Sequence, residues 1–490
     1  MNRRALLTSF AGVAVAGILT PELAQAVGQW SQAAASGIDW RLAFADLDAD
    51  VAPAPMRLIA GRPPADLAGS LFRNGPGKFR RAGGSVDHWF DGDGLMRAFR
   101  IADGKARLAA RFIDTPKRRA DQAANAVVTQ GFGTADRPGA TASSSDDANA
   151  ANISVMPVGG ELWALWEAGS PTAIDPTDLS TKGMRTLRPD LAHMPFLAHP
   201  RAEPDGDIWS LGVAGRQAIV WRLGRDGALK SADVIALPRA SYVHDFTATP
   251  RHLILILQPW IEGPSGDTYA DRFSWRPADG TIILVLDKND LSTRRVFEVP
   301  ALFAFHYGAA WEEPDGTLRF DACASDNPDF ATLGAREVLK GVFTPRASAT
   351  LRLVSLSPGG AARIEPVGVV AEFPRADSRL AGSPRRYSVH ATSDGGTPLF
   401  HGLATYDWKG ARSDAFDFGP THLMEEAVFV PRPGGAAELD GWLLAPSVNL
   451  TAKATELHVF DARRVAAGPL ATWRADVALP VSLHGAFVSA

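Results

Sequence analysis

The sequence predicts an all-β fold, a seven-bladed β-propeller whose active-site face is capped by short helices and loops. Short apolar or alternating runs recur through most of the chain, and each ends in turn residues. The 46 glycines and 35 prolines among 490 residues suit a protein of many strands and turns. Sustained helical periodicity is nearly absent. Together these observations favour roughly 25–30 short strands.

Residues 1–26 stand apart from this pattern and have the layout of a secretory signal peptide. Arg3 and Arg4 precede a mild apolar run, Ala5–Thr20, and Ala24-Gln25-Ala26 supplies a small-x-small cleavage site. The paired arginines favour the twin-arginine export route, so we expect a periplasmic protein, with the cytoplasm as the alternative. The apolar run is too short for a comfortable membrane span.

The rest of the chain divides at about residue 67. Residues 27–67 are rich in alanine with little pattern, which indicates an N-terminal arm that packs on the main body. Residues 68–490 form the predicted propeller domain, because turn signals continue to its end without a clear linker. The strand pattern is carried by runs such as LMRAFRI, ELWALWE, DIWSLGV, AIVWRL, TIILVLD, TLRFDAC, AVFVPR and ELHVFDA.

Two short helices and one long loop interrupt the strands. Asn327 can cap a helix and Pro328 suits its first position, so we expect a helix over Pro328–Leu339. A second short helix is indicated over Ala462–Ala467. Residues 131–151 are of low complexity, which predicts a long surface loop and not a domain boundary.

A propeller is the architecture that accommodates this many strands in one domain. About 440 residues are too many for a two-sheet sandwich, whereas a propeller repeats four-stranded blades around an axis. Seven blades would then have about 63 residues each. The prediction depends on this arithmetic, because the chain has no detectable sequence repeat.

Bulk composition narrows the possible functions. The net charge is −4, and no run of Lys or Arg indicates a nucleic-acid surface. Cys323 is the single cysteine, which excludes an intramolecular disulfide and argues against a cysteine-based metal site.

Four histidines are the candidate metal ligands: His199, His244, His306 and His484. They lie in the contexts LAHPRAEP, VHDFTAT, FAFHYGAAWEE and SLHGAF. Their gaps of 45, 62 and 178 residues correspond to roughly one, one and three blades, so innermost strands of four blades would bring them to a common axis. Imidazole is a ligand suited to iron, copper, zinc or nickel. Four neutral ligands leave a metal its full +2 charge and, in octahedral geometry, positions for dioxygen and substrate.

Carboxylates in apolar strand contexts are the candidate groups behind these ligands, because a metal-bound histidine donates its other ring nitrogen to an acceptor. Glu167 lies in LWALWEAG, Glu372 in VVAEFPRA and Glu426 in MEEAVFVPR. A carboxylate among such apolar neighbours is costly unless it is paired. The other histidines are predicted to have structural roles: His88, His193, His252, His390, His401, His422 and His458.

Eleven short motifs occur in order from about Ala68 to Phe487. They are LFRNGPG at 71–77, HWFDGDG at 88–94, ANI at 151–153, LWE at 165–167, HP at 199–200, HDF at 244–246, FH at 305–306, EFP at 372–374, FVPR at 429–432, DGW at 440–442 and HG at 484–485. Each is weak alone, but the ordered set resembles the carotenoid cleavage oxygenase family. That family includes lignostilbene dioxygenases and retinoid isomerohydrolases.

The resemblance implies a seven-bladed propeller that holds Fe(II) on four histidines, with three glutamates behind them. The positions that match the iron ligands are His199, His244, His306 and His484. The positions that match the glutamates are Glu167, Glu372 and Glu426, with Glu425 as a neighbouring competitor. Which glutamate supports which histidine is left open.

The activity implied by the resemblance is cleavage of a carbon–carbon double bond by O2, giving aldehyde or ketone products. The metal carries the redox step and the protein supplies an apolar tunnel, so no catalytic residue is assigned beyond the metal centre. The expected partners are an apolar polyene or stilbene-like small molecule and O2. Peripheral membrane contact is a possible route of substrate uptake.

The substrate class is indicated by fewer residues than the reaction type. Lignostilbene-cleaving members of the family use a Tyr and a Lys to hold and ionise a phenol. The matching region, Arg111–Pro116, has Phe112 where that Tyr would fall, and no Lys lies around Leu165–Glu167. A carotenoid or apocarotenoid substrate is therefore favoured. A lignostilbene-type dioxygenase is the alternative, and a non-catalytic polyene-binding propeller is a third hypothesis.

Three local features complete the expectations. Asp91–Gly94 resembles a calcium loop but lacks its ligand spacing, so a tight turn is predicted. Arg73–Gly75 is also expected to form a turn. After His306 the chain has Gly308 before two alanines, where the family usually carries an Asn, and this departure should change packing but not the ligand.

Overall fold

The computed structural model describes residues 38–140, 142–395 and 397–490. The signal peptide predicted over residues 1–26 lies outside the described residues, so export stays a prediction. The described residues form strands with few helices, which confirms the all-β prediction. Within these ranges, no helix is long and apolar enough to cross a membrane.

Six strands open the described chain. They are β1 (Val51–Gly61), β2 (Gly69–Lys78), β3 (Arg80–Arg81), β4 (Gly84–Ser85), β5 (Asp93–Ala102) and β6 (Lys105–Phe112). β1 falls within residues 27–67, where an arm was expected, but it pairs with β6 and so belongs to a sheet. Its sequence gave no strand signal because only Met56 along its length is buried.

The turn predicted over Arg73–Gly75 is wrong, because these residues lie inside β2 and pair with β5. A β-carbon on Gly75 would lie 2.7 Å from the Cα of Ser482. The glycine therefore marks a close backbone approach. The turn expected at Asp91–Gly94 is confirmed only in part, because Asp91 ends a short 3-10 turn whereas Asp93 and Gly94 open β5.

Five separate antiparallel sheets follow along the chain. The first sheet contains β7 (Ser154–Val158), β8 (Glu161–Leu165), β9 (Thr172–Ile174) and β10 (Thr181–Met184), and the second contains β11 (Arg201–Ala202), β12 (Ile208–Ala214), β13 (Gln217–Leu223) and β14 (Leu229–Ala236). The third contains β15 (Thr247–Ala248), β16 (His252–Leu257), β19 (Thr281–Asp287) and β20 (Arg294–Val299). A separate two-stranded ribbon, β17 (Trp260–Glu262) and β18 (Phe273–Trp275), lies between β16 and β19 in the sequence. The other two are β21 (Phe303–Tyr307), β22 (Trp311–Glu312), β23 (Leu318–Ser325), β24 (Thr350–Leu356) and β25 (Ala362–Val370); and β26 (Glu372–Arg375), β27 (Tyr387–Thr392), β28 (Gly402–Asp407) and β29 (Arg412–Asp417).

The last strands join the first ones in a ten-stranded sheet. They are β30 (His422–Met424), β31 (Val428–Pro431), β32 (Gly441–Asn449), β33 (Ala454–Asp461), β34 (Ala471–Arg474) and β35 (His484–Ser489). The sheet runs β30-β32-β33-β34-β1-β6-β5-β2-β35, with β31 beside β32. The prediction of seven separate blades is thus corrected to five blade-sized sheets and one large sheet. The reason is β1, which pairs with both β34 and β6 and merges strands from the two ends of the chain.

Apolar clusters connect each sheet to its neighbour in a propeller-like arrangement. One cluster lies between β2–β5 and β7–β8, and further clusters follow between successive sheets along the chain. The series ends at the ten-stranded sheet, where Trp442 and Trp473 pack with Phe99.

The described helices are short. The 3-10 helices are Trp40–Phe44, Trp89–Asp91, Asp146–Ala148, Pro189–Leu191, Ala270–Arg272, Pro277–Asp279, Ser378–Leu380, Gly419–Thr421 and Val465–Ala467. The helix expected over Pro328–Leu339 is a π-turn at Phe330–Gly334 followed by an α-helix at Ala335–Leu339, and the Asn327 side chain accepts the Asp329 N–H at 3.0 Å. Of the segment Ala462–Ala467, only its last three residues form a 3-10 turn.

One α-helix, Pro116–Ala124, was not predicted. Its start carries the usual signals, because Thr115 accepts the N–H of Arg118 and proline occupies the first turn. Lys117 on this helix, with Arg81 and Arg118, surrounds the buried Asp93 at 2.5–3.1 Å. Burial raises the pKa of Asp93, but Lys117 and Arg81 outweigh it and lower the pKa to about 2.

The loop expected at the surface over residues 131–151 is partly buried. Asp91 accepts hydrogen bonds from the N–H groups of Phe132 and Gly133 and from the Thr134 hydroxyl, at 2.6–3.0 Å. Asn149 is fully buried. The surface prediction is therefore confirmed for the middle of the segment, where residues 138–140 are exposed, and wrong for its ends, whose polar groups bond internally and which line a central cavity.

Candidate metal centre

The four predicted ligand histidines come from four different sheets. His199 lies just before β11 and His244 shortly before β15, while His306 lies in β21 and His484 opens β35. Each of these strands is the terminal strand of its sheet. Edge strands converging on one axis thus bring together residues that are far apart in the sequence.

The ligand nitrogens of the four rings form one compact group. The Nε2 atoms of His199 and His244 are 3.0 Å apart, and those of His306 and His484 are 3.1 Å apart. One ligand atom from each ring lies within 4.8 Å of all the others. His244, His306 and His484 are buried, and His199 is partly exposed.

The three predicted glutamates each accept a hydrogen bond from one histidine. Glu167 Oε2 lies 2.9 Å from Nδ1 of His244, and Glu372 Oε2 lies 2.6 Å from Nδ1 of His306. Glu426 Oε1 lies 2.9 Å from Nδ1 of His484, and this contact decides between Glu426 and its neighbour Glu425. Among the described residues, His199 has no carboxylate partner.

Electrostatics favour neutral imidazoles at two of the four positions. Burial, together with the neighbouring His484 and His244, holds the pKa of His199 well below its ordinary value. Burial lowers the pKa of His484 to about 3, although Glu426 opposes the shift. Burial also disfavours protonation of His306, but Glu372 outweighs it and raises the pKa.

The donor set fits a divalent transition metal. When Nδ1–H of a ring donates to a glutamate, its Nε2 carries a lone pair, and these lone pairs point into the space shared by the four rings. Lone pairs 3.0 Å apart repel one another unless a proton or a metal cation lies between them, and a metal can satisfy all four at once. The glutamates supply negative charge behind the ligands, which is the outer arrangement that metal-bound histidines require.

Two arginines missed by the sequence analysis hold Glu426. Arg73 is fully buried, and its Nη1 lies 3.1 Å from Glu426 Oε2, while Arg375 Nε lies 2.7 Å from Glu426 Oε1. Burial raises the pKa of Glu426, but Arg375 and His484 outweigh it, so the pKa lies well below its ordinary value. Both arginines lie in or beside the motifs LFRNGPG and EFP, which was the available signal.

Glu425 has a different role, because it binds the loop before the last strand. Its Oε1 accepts the Ser482 N–H at 2.7 Å, and its Oε2 lies 3.3 Å from Nε of Arg73. Arg73 also donates to the Leu483 carbonyl at 2.8 Å. Adjacent glutamates therefore fix the approach of the chain to His484 and the orientation of its ring.

Asp245, next to His244, ties two ligand segments together. Its Oδ2 accepts the Tyr307 N–H at 2.9 Å, and Arg201 Nη2 lies 2.6 Å from its Oδ1. Beyond Tyr307, a β-carbon on Gly308 would lie 2.0 Å from Oδ1 of Asp321. Local packing at position 308 therefore leaves no room for a side chain unless Asp321 moves.

Tyr242 completes the support of His244. Its hydroxyl donates to Glu167 Oε2 at 3.0 Å, the same oxygen that accepts from His244. Burial and the Glu167 charge raise the pKa of Tyr242 well above its ordinary value, so the phenol keeps its proton.

A cavity of about 800 Å³ is lined by three of the four histidines, His244, His306 and His484. Its inner wall is aromatic and includes Phe90, Phe132, Trp166, Phe305, Phe373 and Phe400. The ring of Phe305 lies 5.1 Å from that of His244, and the ring of Phe373 lies 5.2 Å from that of His306. This volume matches that of sites for small organic ligands.

Phe112, which was expected to lie where a stilbene-cleaving relative has its phenol-binding Tyr, is not at the site. Phe112 does not line the cavity but is buried in the core of the ten-stranded sheet, so its identity cannot report on a substrate phenol. Among the described residues, the cavity wall holds one tyrosine, Tyr269, and no lysine.

Two further histidine clusters lie outside this centre. In one, His401 bridges Asp417 and Asp394 through its two ring nitrogens, at 2.7 and 2.8 Å. In the other, the ring nitrogens of His458 bind the hydroxyls of Ser447 and Thr472, at 2.9 and 3.0 Å. These contacts agree with the structural roles expected for these histidines.

Comparisons with known proteins agree with the geometry. A family model described as retinal pigment epithelial membrane protein matches residues 44–489. The chain is 29% identical to the apocarotenoid-15,15'-oxygenase of Synechocystis sp., over 88% of this chain and 92% of that protein. It is 26% identical to the resveratrol cleavage oxygenase 1 of Aspergillus fumigatus, over 88% of this chain and 91% of that protein. The crystal structure of cobalt-substituted Synechocystis apocarotenoid oxygenase superposes with a TM-score of 0.82 at 25% identity, covering 92% of this chain and 98% of that one.

Proposed function

This chain belongs to the retinal pigment epithelial membrane protein and carotenoid cleavage oxygenase family, and we propose that it is a non-heme iron(II) dioxygenase that cleaves a carbon–carbon double bond of a carotenoid or apocarotenoid. The reaction consumes one O2 and places one oxygen atom on each former alkene carbon, giving two aldehyde or ketone products. The observation that carries the proposal is the convergence of four histidine nitrogens beneath an aromatic cavity.

The residues would hold Fe(II) through Nε2 of His199, His244, His306 and His484. When bound, iron supplies the redox chemistry of O2 that protein side chains lack. The match to a cobalt-substituted relative supports a divalent transition metal here, and four imidazoles are suitable ligands for iron.

The chain's own groups orient the histidine rings and exclude water from the substrate. Glu167, Glu372 and Glu426 hold the Nδ1 protons, which fixes the tautomer and aims each Nε2 at the centre. The aromatic wall desolvates a long apolar substrate and provides faces for its conjugated double bonds. No described side chain is required to move a proton, because cleavage of an alkene by O2 transfers none.

An aerobic substrate panel with mass spectrometry of the products tests the proposal. Purified protein should contain about one iron per chain and convert apocarotenals, carotenoids or both into carbonyl fragments, with both atoms of 18O2 in the products. Iron-loaded protein that cleaves no compound of the panel would argue for the third hypothesis, a polyene-binding propeller. Retention of only one labelled oxygen atom, after correction for the exchange of carbonyl oxygen with water measured on 18O-labelled product, would argue against a dioxygenase.

Cleavage of a phenolic stilbene is the second candidate, because a relative is named a resveratrol cleavage oxygenase. Two features of the cavity favour the polyene. Its described wall has no lysine to stabilise a phenolate. Burial raises the pKa of Tyr269, the single tyrosine in that wall, so this residue stays protonated and cannot take the proton of a substrate phenol. Robust turnover of a 4-hydroxystilbene with none of an apocarotenal would reverse this order.

Location and substrate delivery are part of the proposal. The leader favours export to the periplasm with iron already bound, because the twin-arginine route carries folded proteins. Leu333 and Val342 are about half exposed near residues that line the cavity, which supports peripheral membrane contact during substrate uptake. Fractionation of cells and flotation with lipid vesicles test these two points separately.

A further inference from the structure

We propose that Phe373 is a positioning residue of the metal centre. Its left-handed backbone forms a β-bulge that turns Glu372 and Arg375 to the same side of β26, and its ring packs on two of the four histidines. This inference rests on the metal site proposed above. It assigns a role to a residue that the donor set alone does not reveal.

The bulge is visible in the pairing of β26 with β27. Glu372 lies opposite Ala391 and Arg375 lies opposite Val389, so three steps on one strand match two on the other. The extra residue is at Phe373, whose φ is +56°. Glycine is the residue that adopts this backbone without strain, and a bulky side chain there is an outlier.

The extra residue changes which way the flanking side chains point. In a regular strand, residues three apart point to opposite faces. Here both reach the metal centre, because Glu372 Oε2 lies 2.6 Å from His306 Nδ1 and Arg375 Nε lies 2.7 Å from Glu426 Oε1. The bulge thus lets one short strand support two ligands, His306 directly and His484 through Glu426.

Phe373 also contacts the centre itself. Its N–H donates to Glu372 Oε2 at 2.8 Å, the oxygen that accepts from His306. Its ring centroid lies 5.2 Å from that of His306 and 5.3 Å from that of His484. The positive φ turns the ring toward these histidines while the N–H stays on the carboxylate. A strained residue kept where glycine would be free of strain indicates that the ring has a function.

Backbone and ring are separable by substitution. Phe373→Val keeps an apolar side chain but resists the left-handed conformation, whereas Phe373→Gly allows that conformation and removes the ring. Phe373→Ala lies between them, since it lacks the ring and retains part of the strain. Ala411→Gly is the matched control, because Ala411 also has a positive φ (49°) and lies on an exposed turn away from the metal centre.

The measurements are Co2+ affinity, by competition with a chelator, and the visible spectrum of the bound Co2+. We expect Phe373→Val to lose about tenfold or more in affinity and to alter the spectrum. Phe373→Gly should stay within about threefold of the parent protein and raise KM for the substrate more than it lowers kcat. Phe373→Ala should fall between the two, and Ala411→Gly should leave Co2+ binding unchanged.

The order of affinities decides the outcome. Equal affinities of the valine and parent proteins, or a glycine variant weaker than the alanine variant, would overturn the proposed role of the backbone. The glycine–alanine comparison still applies if the valine variant does not fold. Failure of the parent protein to bind Co2+ would count instead against the proposed metal site, so the two failures are distinguishable.

Discussion

Substitution of Glu426 by glutamine should cost the metal-free protein far more stability than the equivalent change at Glu167. Glu426 is 2% exposed and contacts two guanidinium groups in addition to His484. Glutamine keeps the shape and one acceptor oxygen but removes the negative charge. Glu167 accepts hydrogen bonds from His244 and Tyr242, and neither is an arginine or a lysine.

The expected magnitude follows from how far each of the two arginines is buried and from its other partners. Removing one partner of a buried ion pair costs about 3–5 kcal/mol, because the remaining charge is left uncompensated. Arg73 is fully buried but keeps Glu425 at 3.3 Å, and the Arg375 side chain is 41% exposed and can be hydrated. Both features reduce the cost, so we expect about 3 kcal/mol for Glu426→Gln and about 1 kcal/mol for Glu167→Gln.

Urea unfolding of both metal-free variants, followed by circular dichroism, gives the two free energies of unfolding. Metal affinity provides the second comparison, since loss of either glutamate should weaken Co2+ binding by about 10- to 100-fold. The reasoning is refuted if Glu426→Gln is as stable as Glu167→Gln, because the two arginines would then not depend on the Glu426 charge.

Three further outcomes are expected. Metal at 100 times its Kd should raise the unfolding free energy of the parent protein by about 2.7 kcal/mol. His306→Ala should abolish turnover and remove this stabilisation, whereas the control His252→Ala should keep both. Activity assays and thermal unfolding with Co2+ measure the two effects. The pKa of Asp93 is lowered to about 2 in the folded state, so its ionised form contributes about 2 kcal/mol to the free energy of unfolding above about pH 4, and this is lost as the pH falls toward 2. Asp93→Asn should therefore flatten the fall of stability over this pH range in acid titrations. An unchanged slope would contradict the assignment. Gly308→Ala should lower the free energy of unfolding by about 1–3 kcal/mol, because its β-carbon meets Asp321, and a urea midpoint equal to that of the parent protein would show that Asp321 can move aside.

The site was more predictable from the sequence than the sheet connections. The resemblance of their sequence contexts to a known family selected His199, His244, His306 and His484 among the eleven histidines before their Nε2 atoms were seen together. The glutamates followed because a carboxylate in an apolar strand must be paired. Which glutamate serves which histidine depends on how sheets pack, and the sequence has no local signal for that.

The failures have physical causes of their own. β1 could not be found because backbone pairing holds it and hardly any of its side chains are buried. The Arg73–Gly75 segment has the composition of a turn, yet its glycine is required by the close approach of Ser482. Phe373 could not be recognised as special, since its left-handed backbone appears only in the folded bulge.

The pairing of β2 with β35 has a consequence for how the protein is made. Asn74 lies opposite His484 across the two strands, so the fourth histidine occupies its place only when residues 410 positions apart have met. A ribosome must therefore release nearly the whole chain before the four histidines can be brought together. Assembly of the histidine set and closure of the ten-stranded sheet depend on the same late pairing, so a prematurely ended chain would have neither.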